Sequence, residues 1–331
     1  MRYLIFICLG FSAQFLWAQP DSLYFQKDTK EDIDLGWRTK KEVGFYLNQI
    51  SFTNWNSGGT NSISVIITGK ATAKYKQDNW FWNSSFDMRY GLNKQENLDL
   101  RKTEDVIEVI SNIGLEKNAE SNWFYSARFS FNTQFANGFN YPEKEEPISK
   151  FMAPGYMFFG LGMEYGRHIE RLSFYASPFT FKTTFVLDEK LSNRGAFGVN
   201  PAIYDLEGNI LRDGKRVRQE LGILLTNQFE EELFENINVN SLLRLYTDYI
   251  NSFGNIDVEW ELNLDMKVNK YVKASLGSHL RYDNDIKVEV KRNEMTNEET
   301  VIVGPKLQWK QILGVGVVVD LDQIIKLNAI M

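Results

Sequence analysis

Residues 258–268 read Val258-Glu259-Trp260-Glu261-Leu262-Asn263-Leu264-Asp265-Met266-Lys267-Val268. Every even position is apolar, and every odd position is polar or charged. Successive side chains of a β-strand point to opposite faces, so this stretch predicts a strand with one apolar face and one polar face. The same alternation recurs along the 331-residue chain, which predicts a protein built mainly of such strands.

The alternating segments predict twelve strands, at roughly 42–53, 63–76, 80–92, 104–117, 123–135, 156–167, 172–186, 216–229, 236–249, 256–268, 271–288 and 301–320. Apart from the short 250–255 link, tight connections alternate with longer ones, which lie at 54–62, 93–103, 136–155, 187–215 and 289–300. This rhythm is typical of bacterial outer-membrane barrels, which have tight periplasmic turns and long outer loops. We therefore expect an all-β fold, an antiparallel transmembrane β-barrel over residues 42–321, followed by a C-terminal tail at 322–331.

The first residues predict export. A charged start is followed by an apolar run at 4–17 and by Ala18, which is the pattern of a cleaved signal peptide at 1–18. A membrane anchor is the less favoured alternative, because the run is shorter than the ~20 residues that a spanning helix needs. We expect a periplasmic segment at 19–41. The only cysteine is Cys8, so the exported chain is expected to contain no disulfide.

The composition excludes some functions and favours a membrane location. The net charge of −6 is weakly acidic, which argues against a nucleic-acid partner. Aromatic residues make up 14% of the chain, and Trp and Tyr recur near the ends of the alternating segments. Barrels place these residues at the two membrane interfaces. The expected location is the cell outer membrane, with its lipids in contact with the barrel.

The polar faces of the predicted strands carry charges of both signs. We assign to a lumenal charged network Asp87, Arg89, Arg128, Arg218, Glu220, Arg244, Asp248, Glu259, Glu261, Asp265, Lys267, Lys273, His279 and Arg281. Opposite charges on neighbouring strands can pair, and a twelve-strand barrel is narrow compared with a sixteen-strand porin. Two interpretations stay open: a structural ion-pair network, which is the commoner case, and a selectivity constriction.

Catalytic and cofactor chemistry has little support in the sequence. The chain has two histidines, His168 and His279, and no Cys/His cluster, so we expect neither a metal site nor a cofactor. A Ser/His/Asp hydrolase would need a serine against His279. Ser275 shares its face but lies about 13 Å away along the strand, and Ser278 points to the other face. We expect no catalytic residue and no enzyme activity.

Two further features point to contacts inside or above the barrel. Within the longest loop, residues 203–214 predict a small hairpin that turns at Glu207-Gly208-Asn209. The 187–215 loop is therefore the best candidate for a lid, an inward plug or a partner contact. Glycine pairs predict smooth lumenal strips against which a plug or a loop could pack, namely Gly160 with Gly162 and Gly314 with Gly316.

Three stretches of the chain carry a resemblance to a known family. They are Asn48-Gln49-Ile50-Ser51-Phe52-Thr53-Asn54-Trp55-Asn56-Ser57-Gly58-Gly59, then Ser177-Pro178-Phe179-Thr180-Phe181-Lys182-Thr183-Thr184-Phe185-Val186, then Gly195-Ala196-Phe197-Gly198-Val199. On these stretches the chain resembles an uncharacterised Bacteroidota family of exported outer-membrane β-barrel proteins, known only as a domain of unknown function. The resemblance covers about residues 35–321. It implies a barrel fold and supplies no catalytic residues.

Three functions are compatible with these observations. The first is a narrow, porin-like pore for small solutes or ions with a charged lumen. The second is a non-conducting structural or assembly subunit that contacts other envelope proteins through the 187–215 loop and the 20–40 segment. The third, a distant alternative, is an outer-membrane lipid hydrolase.

Overall fold

A computed structural model describes residues 36–51, 60–77, 79–117, 121–142, 144–166, 172–250, 253–269, 271–284, 288–290, 301–303 and 305–322. Several predictions fall outside the described residues and stay predictions. These are the signal peptide at 1–18 with Cys8, the periplasmic segment up to residue 35, the Asn54–Gly59 part of the family stretch, His168, and the tail from residue 323.

The chain forms sixteen strands and one short α-helix in the described part. In chain order they are β1 (Gly36–Ile50), β2 (Ser62–Gln77), β3 (Trp80–Gln95), β4 (Arg101–Glu116), β5 (Trp123–Thr133), β6 (Gly155–Tyr165), β7 (Leu172–Phe185), α1 (Glu189–Asn193), β8 (Ile203–Tyr204), β9 (Ile210–Arg212), β10 (Val217–Phe234), β11 (Ile237–Asp248), β12 (Asp257–Lys267), β13 (Val272–Tyr282), β14 (Val288–Val290), β15 (Val301–Val303) and β16 (Gln308–Asp320). None of the described helices is long and apolar enough to cross a bilayer.

Twelve of these strands close into an antiparallel barrel, which confirms the predicted fold class. Around the barrel their order is β1-β16-β13-β12-β11-β10-β7-β6-β5-β4-β3-β2, and every neighbouring pair is antiparallel. Turns such as the one between β10 and β11 lie at one end, which we call the tight-turn end. The opposite end, where the 186–216 connection lies, is the long-loop end.

The strand boundaries differ from the prediction in two places. First, β1 begins at Gly36, and its first residues pair with the end of β2 as far as Lys76, so the barrel starts earlier than residue 42. Second, the continuous strands expected at 271–288 and 301–320 are wrong. The barrel strands end at Tyr282 and resume at Gln308, and β14 and β15 pair with each other in a separate hairpin. A hairpin outside the barrel alternates in the same way, so the pattern alone could not separate them.

The outer face of the barrel carries apolar side chains that are exposed in the isolated chain. They occur on strands all around the barrel, for example Phe45, Phe86, Phe159, Phe181 and Leu313. Soluble monomers rarely expose apolar surface on this scale, because its contact with water is unfavourable. The register therefore agrees with the predicted division into an apolar outer face and a polar inner face.

Three outward-facing tryptophans make the same kind of hydrogen bond. In each case the indole N–H donates to the hydroxyl of a serine on the neighbouring strand. The pairs are Trp82–Ser111 at 2.9 Å, Trp260–Ser241 at 3.0 Å and Trp309–Ser278 at 3.0 Å. In water an exposed indole N–H would be satisfied by solvent, whereas in hydrocarbon it needs a partner from the protein. The serines therefore suit an outer face that contacts lipid.

Replacing one of these serines tests the tryptophan–serine hydrogen bond. Ser241→Ala leaves the Trp260 N–H without its acceptor, so we expect the free energy of unfolding in lipid vesicles to fall by about 1 kcal/mol. The measurement is urea unfolding followed by tryptophan fluorescence. Ser85→Ala is the control, because Ser85 faces the lumenal cavity. Equal effects of the two changes would contradict the role of the tryptophan–serine pairs.

Candidate functional site

The inner face of the barrel encloses a cavity of about 470 Å³. Lys40 of β1 and Lys70 and Lys74 of β2 line one side of it. Glu230 lines it from β10, which is almost diametrically opposite β1 and β2 in the strand order, and Glu261 lines it from β12. Small-molecule sites commonly measure about 300–1,000 Å³. The lumen thus offers space for a small solute beside charges of both signs.

A cross-lumen ion pair closes one side of this cavity. The Arg244 Nη2 on β11 lies 2.8 Å from the Glu108 Oε1 on β4, and the Arg244 Nη1 lies 2.8 Å from the Glu259 Oε2 on β12. Four strands separate β11 from β4 along the shorter way around the barrel, so the contact with Glu108 spans the interior. We call these three residues the Arg244 layer.

A second contact crosses the barrel nearer the long-loop end. The Arg281 guanidinium of β13 lies over the ring of Tyr156 on β6, 4.6 Å from the ring centroid. Both residues line a smaller cavity of about 70 Å³, on the far side of the Arg244 layer from Lys40 and Lys70. Lys182 of β7 reaches Asp257 of β12 at 2.8 Å within the same region. The cavity on the long-loop side of the Arg244 layer is therefore much smaller than the cavity on the side of Lys40 and Lys70.

The third cross-lumen contact is an ion pair between Lys310 of β16 and Glu104 of β4, with 2.8 Å between Nζ and Oε1. Three strands lie between β16 and β4. Like the Arg244 layer, this contact uses a carboxylate of β4. One strand therefore anchors two bridges to strands that are not its neighbours.

A different cluster lies along the wall formed by β4 to β7. The Glu164 carboxylate is fully buried and accepts hydrogen bonds from the Asn112 amide and the Ser126 hydroxyl. Arg128 lies 3.9 Å from Glu164 and 5.0 Å from the ring centroid of Tyr175. Burial of a charge is unfavourable unless it is paired and hydrogen-bonded. The Glu164 Oε2 meets this requirement, whereas the Glu164 Oε1, which faces Arg128, and the Arg128 Nε have no hydrogen-bond partner among the described residues. This cluster stabilises the wall without crossing the lumen.

The structure brings many residues of the predicted charged network into contact. The contacts are Asp87 with Arg89 at 3.0 Å, Arg218 with Glu220 at 3.4 Å, Lys273 with Glu42 at 3.1 Å, Asp265 with Ser275 at 2.6 Å, and Glu259 with His279 at 3.2 Å. Two network residues are far apart. Asp248 ends β11 at the long-loop end, where it accepts the N–H of Ile250, and Lys267 ends β12 at the tight-turn end.

Sequence reasoning missed the residues of β4 that make the bridges, Glu104 and Glu108. The lumenal face of β4 also carries Val106 and Ile110, so its two faces do not separate cleanly into apolar and polar. It also missed Lys182, which lies within the apolar-rich family stretch at 177–186. The available signal was the strand parity set by the neighbouring outward residues, since every second residue shares a face.

The only histidine in the described residues lies beside two carboxylates. Ligand atoms of Glu259, Glu261 and His279 lie within 4.8 Å of one another. Arg244 already binds the Glu259 carboxylate, so a cation occupies this position and disfavours a second one. The His279 Nε2 contacts Glu259, and no described serine hydroxyl contacts it. The hydrolase alternative thus gains no support from this geometry.

The glycine strips are covered by neighbouring strands. A Cβ on Gly316 would lie 2.4 Å from the Cδ1 of Tyr46 on β1, and a Cβ on Gly160 would lie 2.9 Å from the Tyr175 hydroxyl of β7. Glycine at these positions makes room for the two tyrosines. Among the described residues, these side chains occupy the place where a plug was expected.

The long loop between β7 and β10 is folded. Asp188 caps α1 by accepting the N–H of Leu191 and pairs with Lys150 of the preceding loop. Burial tends to raise the pKa of Asp188, but the hydrogen bonds from Lys150 and Leu191 outweigh it and hold that pKa below its ordinary value. A small apolar core holds the loop together, formed by Ala153, Val186, Leu191 and Val199.

Two predictions about this loop can be compared with the structure. The hairpin is confirmed as β8 and β9, with the Asp205 carboxylate accepting the backbone N–H of Glu207 and Asn209 at their turn. The loop also reaches the lumen, because the Arg218 Nη1 donates to the Gly198 carbonyl at 2.9 Å. This contact ties the loop to the lumenal face of β10.

Known protein families were compared with the chain by sequence, and one of them matches part of it. The model of a family described as "Protein of unknown function (DUF3078)" matches residues 47–139. This is narrower than the 35–321 expected, and the two later family stretches lie outside it. No curated protein matches the chain.

Solved structures with a similar fold include three outer-membrane proteins. The translocator domain of the autotransporter NalP from Neisseria meningitidis is 11% identical, with 87% of this chain and 90% of that chain covered and a TM-score of 0.36. The NanC porin is 10% identical, with 84% and 98% covered and a TM-score of 0.34. An outer-membrane channel from Pseudomonas putida F1 is 9% identical, with 88% and 99% covered and a TM-score of 0.38. Likeness at this level concerns the barrel fold alone.

The Asp188 cap can be tested by limited proteolysis. Asp188→Ala removes the charge that binds Lys150 and the side-chain oxygen that caps α1, so we expect trypsin to cleave faster after Lys190 and Arg194. Loss of an N-cap typically costs about 1 kcal/mol, which corresponds to about a fivefold faster cleavage of the opened loop.

Asp213→Ala is the matched control for this loop, because Asp213 is exposed and outside the cap. In wild-type protein the cap should weaken only when the pH falls below about 4. A carboxyl group whose pKa is lower in the folded than in the unfolded protein stabilises the fold at pH values above its unfolded pKa. That stabilisation is lost as the pH falls through the folded pKa. Identical cleavage of both variants at neutral pH would contradict the cap.

Proposed function

We propose that this chain is an outer-membrane β-barrel that passes small solutes or ions through a charged lumen restricted at the Arg244 layer. The observation that carries the proposal is the contact between Arg244 and Glu108, which separates a cavity of about 470 Å³ from one of about 70 Å³. A cavity lined mainly by charged and polar side chains and bounded by a bridged layer is the arrangement expected of a narrow pore with a constriction.

The membrane location rests on the outer face of the barrel. Apolar side chains are exposed there on every side, and the three outward tryptophans each have a serine acceptor. Closed antiparallel barrels satisfy their backbone groups internally, which is why they can cross hydrocarbon. Export by a signal peptide at 1–18 belongs to the same proposal.

The constriction discriminates by charge and size. Arg244 offers a positive charge, but Glu108 and Glu259 neutralise it, and Glu261 adds a further carboxylate nearby. The layer therefore has more carboxylates than guanidinium groups. Small cations should pass this point more readily than anions of the same size, because Coulomb interactions are stronger in the lumen than in bulk water.

The second candidate is a non-conducting structural or assembly subunit of an envelope complex. The observation that favours it is the number of bridges across the interior, since Lys310–Glu104 and Arg281–Tyr156 accompany the Arg244 layer. Bridges of this kind hold opposite walls together. In that case the charges would act mainly on stability and the lumen would carry no current.

Planar-bilayer recordings separate the two candidates. We expect small, cation-selective steps from the refolded wild-type protein. In Glu108→Gln, Arg244 loses its cross-lumen anchor, so the steps should grow about twofold or more and the cation preference should weaken. Glu145→Gln is the matched control, because Glu145 is an exposed loop residue.

Silence from folded and inserted protein, in the wild type and in Glu108→Gln alike, would contradict the pore. The same silence with lowered stability of Glu108→Gln would favour the structural subunit.

A further inference from the structure

One junction of the barrel is much shorter than the rest. The register of β1 and β16 runs from Glu42–Asp320 to Tyr46–Gly316, which is five residue pairs. The other eleven junctions have ten to sixteen pairs. We call the part of this junction beyond Tyr46 and Gly316, towards the long-loop end, the open seam.

The open seam leaves one edge of β16 without a ladder partner among the described residues. Residues 308–315 pair with β13 on one side, down to Gln308 with Arg281, but do not pair with β1 on the other side. Each unsatisfied backbone group in hydrocarbon is costly, by several kcal/mol in the limiting case. A membrane barrel therefore separates at this junction more easily than at any of the others.

The lumenal cavity reaches the open seam through an apolar patch. Tyr46 of β1, Ile66 of β2, and Ile312 and Val318 of β16 all line the 470 Å³ cavity. Their strands are the ones that meet at the seam or adjoin it. Apart from Ile110 of β4 and Leu242 of β11, the rest of the cavity lining is charged, polar or glycine, so an apolar group fits best against the patch at the seam.

A lysine lies on the same lumenal face as part of the apolar patch. Lys70 shares the lumenal face of β2 with Ile66 and lies four residues away, or about 13 Å along the strand. No described carboxylate lies within ion-pair distance of Lys70, whereas Lys40 and Lys273 both bind Glu42. Glu42 of β1 and Asp87 of β3 are its register partners, and the Asp87 carboxylate interacts with Lys70 electrostatically beyond ion-pair distance. An anionic group beside Lys70 would therefore form its first direct ion pair among the described residues.

We propose that the open seam is a lateral opening through which a single-chain amphiphile with an anionic head passes between the membrane and the lumenal cavity. The alkyl chain lies against Tyr46, Ile66 and Ile312, and the carboxylate or phosphate head lies at Lys70. The inference rests on the proposed membrane-barrel function but does not require ion conduction. Passage is by binding and release, with no covalent step.

Paired cysteines test whether the seam is open. In a Cys8→Ser background, Phe45→Cys with Val317→Cys joins two register partners, so we expect an intramolecular disulfide under mild oxidation. Gln49→Cys with Leu313→Cys continues the same register into the open seam. That pair should stay reduced and be bridged only by a longer bifunctional thiol reagent. Equal oxidation of both pairs, or a disulfide between two copies through Gln49→Cys and Leu313→Cys, would overturn the lateral opening.

Ligand binding tests the occupant. The probe is a dansyl-labelled undecanoate, measured by fluorescence with the refolded full chain in amphipol. We expect dodecanoate or dodecyl phosphate to displace the probe and uncharged dodecanol to do so poorly. The better of the two anions identifies the head group. Bridging Gln49→Cys to Leu313→Cys should abolish uptake of the probe, and Lys70→Gln should weaken binding about tenfold.

Lys76→Gln is the matched control, because Lys76 lies on the same lumenal row at the tight-turn end. Binding that is unchanged by bridging and by Lys70→Gln would overturn the proposal. Bilayer conductance reports on the proposed pore separately, so a silent barrel that still binds the amphiphile through the seam would sink the pore and leave this inference standing.

Discussion

A chain that crosses hydrocarbon must satisfy its backbone hydrogen-bonding groups within the protein, and the closed ladder of twelve antiparallel strands meets this constraint everywhere but at the open seam. Closure also fixes where side chains go, because alternate residues of each strand must face opposite sides. The apolar side chains of the strands face outward, and the charged side chains are confined to a narrow interior. The properties of the lumen follow from that confinement, since charges with little access to water have to find partners in the protein.

The lumenal charges find those partners in two different ways. The Glu164 cluster is built from neighbouring strands and stays on the wall. The Arg244 layer and the Lys310–Glu104 pair instead join strands that are not neighbours. A wall cluster leaves the interior free, whereas a cross-lumen pair divides it. The difference explains why the larger cavity lies on one side of the Arg244 layer and only a small one lies on the other.

Much of the barrel could be predicted from sequence because alternation is a local property. The strand from Asp257 to Lys267 and its two faces follow directly from its residues. The cross-lumen partners could not be predicted, because β4 and β11 are far apart in sequence and adjacent strands say nothing about which strands face each other. The lumenal valine and isoleucine of β4 also hid Glu108.

The open seam and the fold of the 186–216 connection could not be predicted from the sequence, for a similar reason. The shortness of the β1–β16 ladder depends on how the two ends of the barrel meet, which no local pattern encodes. The fold of the 186–216 connection depends on Ala153 and Lys150, which come from a different loop. Both features arise from contacts over long sequence distances. The hairpin of β8 and β9 within the 186–216 connection is local, so it could be predicted.

The central claim is that Arg244 and Glu108 interact across the lumen. A double-mutant cycle measures this directly, using Arg244→Gln, Glu108→Gln and the double variant, with the free energy of unfolding in lipid vesicles as the readout. A coupling energy on the order of 1–3 kcal/mol is predicted, because residues in direct contact are not additive. The same cycle between Arg244 and Glu104, whose partner is Lys310, should give a much smaller value. Additive effects of Arg244→Gln and Glu108→Gln would contradict the bridge and the closed layer built on it.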